Sequence, residues 1–421
     1  MWSWVRLPTW HGWGLLLPVA PLCAAGVLTI HITVDHDPAR ELAPALKQLI
    51  FVGNALVIML ITLAIGYQRL GRISTPLFVI VVGMLVYIGL DKYVDVPLVR
   101  EARACRRWIF LPGIQVQPSE LMKIVYVLGL AWYLRYRRNY RTLGGLIAPF
   151  AITLVPMALI LTQPDLGTVL LFLPVLFAML FVAGAKLKHL TVIILLGLMC
   201  MPVFWFKIKG YQRLRVAGVF LQSPAVREYF KDQPERWDRL CPAKTNKAEW
   251  RKELTDWTQQ TGYQLVHSKT AVGSGGLWGQ GWGKGPFSEH DLLPERENDF
   301  IFAMVAHQWG LAGGIALLLC YALIVAIGCD VATLTNDPFG RLLAVGLSTL
   351  IAVQALTNLW MAIGLGPITG VTLPFVSAGG TSMVSSFVCV GLLLSVAHRR
   401  EKLIARNPFE FDDEAERYEQ R

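Results

Sequence analysis

Residues 145–184 read GLIAPFAITLVPMALILTQPDLGTVLLFLPVLFAMLFVAG. Two apolar runs, 145–163 and 166–184, each approach the roughly 20 residues that a helix needs to cross a bilayer's hydrocarbon core. Only Gln163-Pro164-Asp165 separates them. Proline disfavours helix at the residue before it, and a carboxylate just after can cap the next helix. The stretch therefore predicts two spanning helices joined by a tight polar turn.

The same test applied outward finds eight further runs, at 13–33, 49–67, 75–91, 118–135, 189–206, 301–328, 340–364 and 374–397. The expected fold is thus an all-α polytopic membrane protein of about ten transmembrane helices. Its expected parts are helices one to seven over 1–206, a large extracytoplasmic loop over 207–300, helices eight to ten over 301–397 and a cytoplasmic tail over 398–421. Composition agrees: 54% of the 421 residues are hydrophobic and 16% charged, against about 25% charged in soluble domains. An ordinary cytosolic enzyme and a disordered chain are both excluded. In so apolar a chain the net charge of +10 points to membrane lipids rather than nucleic acid.

The N-terminus has the makings of a signal peptide, but its apolar run continues to Ile32, and Trp2, Trp4, Trp10 and Trp13 suit interfacial anchors of a retained span. Basic residues in short loops set the orientation. With both termini inside, Arg6, Arg69, Arg72, Arg135, Arg137, Arg138, Arg141, Lys186, Lys188, Arg399, Arg400, Lys402 and Arg406 all fall in the cytoplasm. One outside loop breaks the rule with Lys92, Arg100, Arg103, Arg106 and Arg107. Contact with lipid headgroups and binding of an anionic substrate such as a diphosphate both account for that cluster.

In the large loop, residues 273–285 read GSGGLWGQGWGKG. Glycine at this density allows close approach of backbone amides to a ligand, yet the run is neither a Walker A motif nor a convincing dinucleotide fingerprint. The seven cysteines show no metal-ligand spacing; Cys105 and Cys241 lie in polar segments and are left free.

Charged residues inside membrane spans are functional candidates. Glu120 and Lys123 stand three apart on one helix face, as a functional pair or a stabilising salt bridge. Asp165 reads chiefly as the cap of the sixth span. Asp299 either caps the eighth span or, partly buried beneath the loop, acquires a pKa suited to a general base. Ser377 and Thr381 belong to LPFVSAGGTSM at 373–383, expected to open the last span with free N–H groups or with small residues for close packing.

Together these segments resemble the SEDS family, the peptidoglycan polymerases RodA and FtsW and their sporulation relative. The resemblance rests on Arg107-Trp108, on Gln117-Pro118-Ser119-Glu120 with Lys123, and on Gln163-Pro164-Asp165-Leu166-Gly167-Thr168. Leu293-Pro294-Glu295 leading to Asp299-Phe300-Ile301-Phe302-Ala303, and Leu373-Pro374-Phe375-Val376-Ser377 with Gly379-Gly380-Thr381-Ser382, complete it. The run Ala271–Trp282 is closer to the RodA version, which favours elongation over division. The chain departs from the family pattern in about 30 extra loop residues near 228–258, in His307-Gln308 where two glutamates are usual, and in Ala378 where tyrosine is common.

The resemblance implies an inverting glycosyltransferase of the inner membrane, active on its periplasmic face, that polymerises lipid II into β-1,4 glycan and releases undecaprenyl diphosphate. Asp299 would be the base, and Arg107, Lys123 and Arg106, with or without a divalent cation such as Mg2+, would clamp the diphosphate. Trp108, Glu120, Asp165, Lys284, Ser377 and Thr381 are the further candidate substrate contacts. The motifs demand no cofactor and leave a metal undecided. The implied partner is a class B penicillin-binding transpeptidase within an elongation complex. A division polymerase of the FtsW kind, a lipid-linked-sugar flippase and a scaffold are the alternatives.

Overall fold

The structure is a computed structural model describing residues 12–34, 44–91, 96–102, 105–111, 114–136, 142–163, 165–207, 210–232, 236, 262–290 and 292–399. Arg6, Lys92, Arg103, Arg137, Arg138, Arg141, Cys241 and the tail beyond Arg399 lie outside the described residues, as does most of the 228–258 insertion. Only the backbone is described at Arg100, Cys105 and Arg106.

In chain order the helices are α1 (Leu16–Val34), α2 (Pro44–Ile65), α3 (Tyr67–Arg72), α4 (Ser74–Leu90), α5 (Pro118–Leu134), α6 (Ile147–Thr162), α7 (Leu166–Val182) and α8 (Leu187–Lys207). They continue as α9 (Gly210–Leu221), α10 (Pro224–Asp232), α11 (Tyr263–Ser274), α12 (Pro286–Glu289), α13 (Ile301–Leu334), α14 (Pro338–Ala362) and α15 (Gly380–His398). Every apolar run read from the sequence overlaps one of these for most of its length. Among the described residues six helical stretches are long and apolar enough to cross a membrane, while Ser74–Leu90, Leu166–Val182 and Leu187–Val203 are shorter apolar helices. At 1.5 Å per residue, 17 residues reach about 25 Å, near the lower limit for a span.

The bundle is sorted by burial. The apolar windows of α14 and α15 are 67% and 78% buried, and that of α2 only 22%, so α14 and α15 form the centre and α2 the wall. Tyr126 of α5 packs on Phe172 of α7 and shares a hydrogen bond with Thr153 of α6. Large apolar side chains such as Val57, Ile61, Val79, Ile80 and Leu319 are exposed. In water that surface would be a liability; against lipid it is the expected outer face.

Two features depart from the sequence reading. The cation-rich stretch between α4 and α5, expected as a loop, is a three-stranded antiparallel sheet: β1 (Val99–Ala102), β2 (Cys105–Leu111) and β3 (Ile114–Val116), in that order. Its register sets Val99 opposite Ile109 and Arg100 opposite Trp108. Val99 and Ile109 pack on Ile88 of α4, and the Tyr87 hydroxyl donates to the Pro97 carbonyl at 2.7 Å. These contacts pin the sheet to the end of the bundle. The last span also begins later than expected, at Gly380, because Pro374 to Ala378 form a buried turn before it.

Helix α13 is broken. Gly310 adopts φ 66° and ψ −160°, outside helical values, which only glycine adopts readily. The glycine-rich segment docks into the break. Gln280 and Gly281 N–H groups donate to the His307 and Gln308 carbonyls, and Leu311 and Ala312 donate to the Gly276 and Leu277 carbonyls. Residues Leu311 to Leu334, the part of α13 beyond the break, are long enough to cross the hydrocarbon core by themselves at about 1.5 Å per residue. Leu277 and Trp278 of the docked segment are exposed.

Candidate active site

The N-terminal ends of α5, α7, α13 and α15 and the C-terminal end of α14 meet at one end of the bundle, beside the small sheet. Helix α5 starts with Pro118 at its first position, where the missing N–H costs nothing. Glu120 and Lys123 follow on one face, 6% and 3% exposed. Lys123 Nζ lies 2.8 Å from Glu120 and donates to Gln354 Oε1 at 3.1 Å. Both Glu120 oxygens lie 2.8 Å from that ammonium, and Oε2 also accepts from the Ser385 hydroxyl at 2.9 Å. Gln354 Nε2 in turn donates to the Thr372 carbonyl, and the Thr372 and Ser382 hydroxyls lie 2.6 Å apart. A cavity of about 10 Å³ beside Lys123, Gln354, Ser385 and Cys389 has room on the order of one water.

Lys123, expected as a diphosphate clamp, is engaged within the bundle. The ammonium is buried and paired with a carboxylate, so the pair presents almost no net charge to a ligand, and its geometry is that of a joint between α5, α14 and α15. Asp165 is likewise engaged. It caps α7 through the Thr168 N–H at 3.1 Å, and also accepts from the Thr168 hydroxyl at 2.9 Å and the Ser119 hydroxyl at 3.0 Å. With three donors on one buried carboxylate, Asp165 caps α7 and ties its start to the start of α5.

Asp299 is different. The N-cap position of α13 falls on Phe300, one residue after Asp299. Its side chain is half-buried, between buried Asn298 and Phe300. The backbone before the helix is held carbonyl by carbonyl. Glu297 O accepts from the Ala378 N–H at 2.8 Å, Asn298 O from the Ser377 hydroxyl at 2.6 Å, and Asp299 O from Asn358 Nδ2 at 2.8 Å. The Ser377 hydroxyl also accepts from the Leu373 N–H at 2.7 Å, so it clamps the turn before α15 to the segment before α13. Thr381 is half-buried in the first turn of α15.

Arg107 and Trp108 are half-buried on β2. The pairing is irregular beside Arg107: β2 has two residues, Arg106 and Arg107, between the Arg100–Trp108 and Ala102–Cys105 pairs, where β1 has one. Lys284 is exposed at the end of the glycine segment. That segment's close approach is to the broken helix: a side chain at Gly279 would collide with the Gln308 carbonyl. Among the described residues no group of three or more His, Cys, Asp or Glu could hold a metal ion.

The sequence reading missed Gln354 and Asn358. They lie four apart on α14, hence on one face, and link the two centres: Gln354 to Lys123, Asn358 to the Asp299 backbone. The available signal was a pair of amides at helical spacing inside an apolar span, where polar side chains need partners.

Comparison with known proteins fits this architecture. The family profile for FtsW, RodA and SpoVE, described as "Cell cycle protein", matches residues 15–225 and 244–402. The "Probable peptidoglycan glycosyltransferase FtsW" of Trichlorobacter lovleyi is 30% identical, over 91% of this chain and 92% of its own. The "Peptidoglycan glycosyltransferase RodA" of Treponema pallidum is 28% identical, over 92% of this chain and 97% of its own. A solved structure described as "Structural coordination of polymerization and crosslinking by a peptidoglycan synthase complex" superposes with a TM-score of 0.70 at 26% identity, covering 93% of this chain and 98% of that one. The chain belongs to the FtsW, RodA and SpoVE family of polytopic membrane proteins.

Proposed function

We propose that the chain is a peptidoglycan glycosyltransferase that polymerises lipid II, with Asp299 as general base. The observation that carries the reading is the placement of Asp299: half-buried just before α13, with the backbone fixed through three consecutive carbonyls, those of Glu297, Asn298 and Asp299. A base needs such fixed placement within hydrogen-bond reach of the hydroxyl it deprotonates. The acceptor's GlcNAc 4-hydroxyl attacks the anomeric carbon of the donor, and its proton passes to Asp299. The anomeric C–O bond breaks, and the electron pair leaves with undecaprenyl diphosphate. One carboxylate acting on a direct displacement inverts the α-linked donor to a β-1,4 product. Arg107 and Arg106 of β2 are the cations assigned to the diphosphate.

The active face is the extracytoplasmic one of the inner membrane, since the short loops at the opposite end carry the cations that remain in the cytoplasm. The likeness to a complex that couples polymerisation and crosslinking supports a class B transpeptidase partner. The RodA-like run Ala271–Trp282 supports a role in elongation and cell shape. In the test, the purified chain and its transpeptidase partner receive labelled lipid II. Glycan strands with release of undecaprenyl diphosphate support the reading, and intact lipid II contradicts it.

The break in α13 favours a second reading, a lipid-linked-sugar transporter, because transporters bind substrate at broken helices. It ranks lower, since the His307 and Gln308 carbonyls freed there are taken by the glycine segment. Transfer of labelled lipid II across vesicles without polymer would favour it.

A further inference from the structure

Asn358 is fully buried on α14. Its Nδ2 donates to two carbonyls from different segments, Asp299 O at 2.8 Å and Val371 O at 2.7 Å. An amide nitrogen carries the two hydrogens this needs; an ionised carboxylate carries none and a hydroxyl only one. The two carbonyls also settle which end of the amide is nitrogen. The second segment borders the carboxylate itself: Gly370, at φ 71°, lies so close that a Cβ there would be 3.4 Å from Asp299 Oδ2. One nitrogen thus fixes both the backbone that bears the carboxylate and the wall beside which it lies. Asn358 Oδ1, in contrast, is buried without a hydrogen-bond partner. An amide retained only for packing would ordinarily have its acceptor met as well.

We infer that Asn358 is a positioning residue for the glycosyl transfer, an inference that rests on the reading of Asp299 as base. It does not touch the substrate. It holds Asp299 at the angle and distance at which the carboxylate meets the acceptor hydroxyl, and a misplacement of about 1 Å lowers such rates about 100-fold.

The experiment uses the full chain with its transpeptidase partner, titrated with lipid II, for wild type, Asn358→Leu, Asn358→Ala and Asn358→Gln. Leu matches the size without a donor, Ala leaves room for water, and Gln keeps the donor one methylene further out. The expected result is kcat lowered about 10- to 100-fold in the Leu and Ala variants, with KM within about threefold of wild type and lipid II binding per molecule unchanged. Gln retains more kcat than either. Leu or Ala alone decides the matter if the other does not yield folded protein. Wild-type kcat per binding-competent molecule in either, or a rise in KM at unchanged kcat, overturns the inference. Failure of the base reading shows elsewhere, as an inactive wild type or a fully active Asp299→Asn.

Discussion

Breaking the buried Glu120–Lys123 pair one side at a time should cost far more than removing both. In Lys123→Met, Glu120 loses its partner at 2.8 Å and keeps the Ser385 hydroxyl as a donor, while Gln354 Oε1 loses its donor. Both charges are at most 6% exposed as residues, so water does little to screen the survivor. Removal of one partner of such a pair costs about 3–5 kcal/mol, while replacing both by groups of similar volume is often neutral. Each of Lys123→Met and Glu120→Gln strands the other partner's charge and should therefore destabilise the chain, Lys123→Met the more because the glutamine side chain still offers the ammonium an amide oxygen whereas methionine offers the carboxylate no donor. The double variant should recover part of the loss, a coupling of about 0.5–3 kcal/mol. Reversible unfolding in mixed micelles measures all four proteins. Single variants within about 0.5 kcal/mol of wild type, or strictly additive effects, would refute the reasoning and return Lys123 to the substrate.

Asp165→Ala removes the acceptor of three hydrogen bonds at the start of α7 and should cost about 1–3 kcal/mol, with Asp165→Asn milder; the same unfolding measurement tests both. Gly279→Ala places a side chain against the Gln308 carbonyl and strains a residue at φ 85°, a penalty of about 1–3 kcal/mol. It should detach the glycine segment from α13, seen as faster amide exchange at Gln280 and Gly281 and lower polymerase activity. Unchanged exchange would mean that the docked segment tolerates the side chain.

The ten helices were legible because crossing a bilayer demands a run of apolar residues whose length is set by the bilayer itself. The break in α13 was not. Gly310 lies in the uninterrupted apolar run of 301–328, and what makes it a break is the backbone of residues 276–281, some thirty positions away. The glycine run announced close backbone approach, but not that the approach would be to the chain's own helix. The sheet of 99–116 escaped because its strands are short and cationic and are held by contacts with α4 that only the fold brings about. Pro374 and Phe375 read as part of a span because apolar residues look alike in a helix and in a buried turn. At the site, the carboxylates and Lys123 stood out as charges in lipid. The amides Gln354 and Asn358, neutral and equally buried, carry less signal and more of the geometry.

The most direct measurement is the single-turnover rate of lipid II consumption by wild type and Asp299→Asn, each with the transpeptidase partner bound. If Asp299 takes the acceptor's proton, the amide variant binds lipid II as tightly as wild type and turns it over at least about 100-fold more slowly. Equal rates would contradict that role.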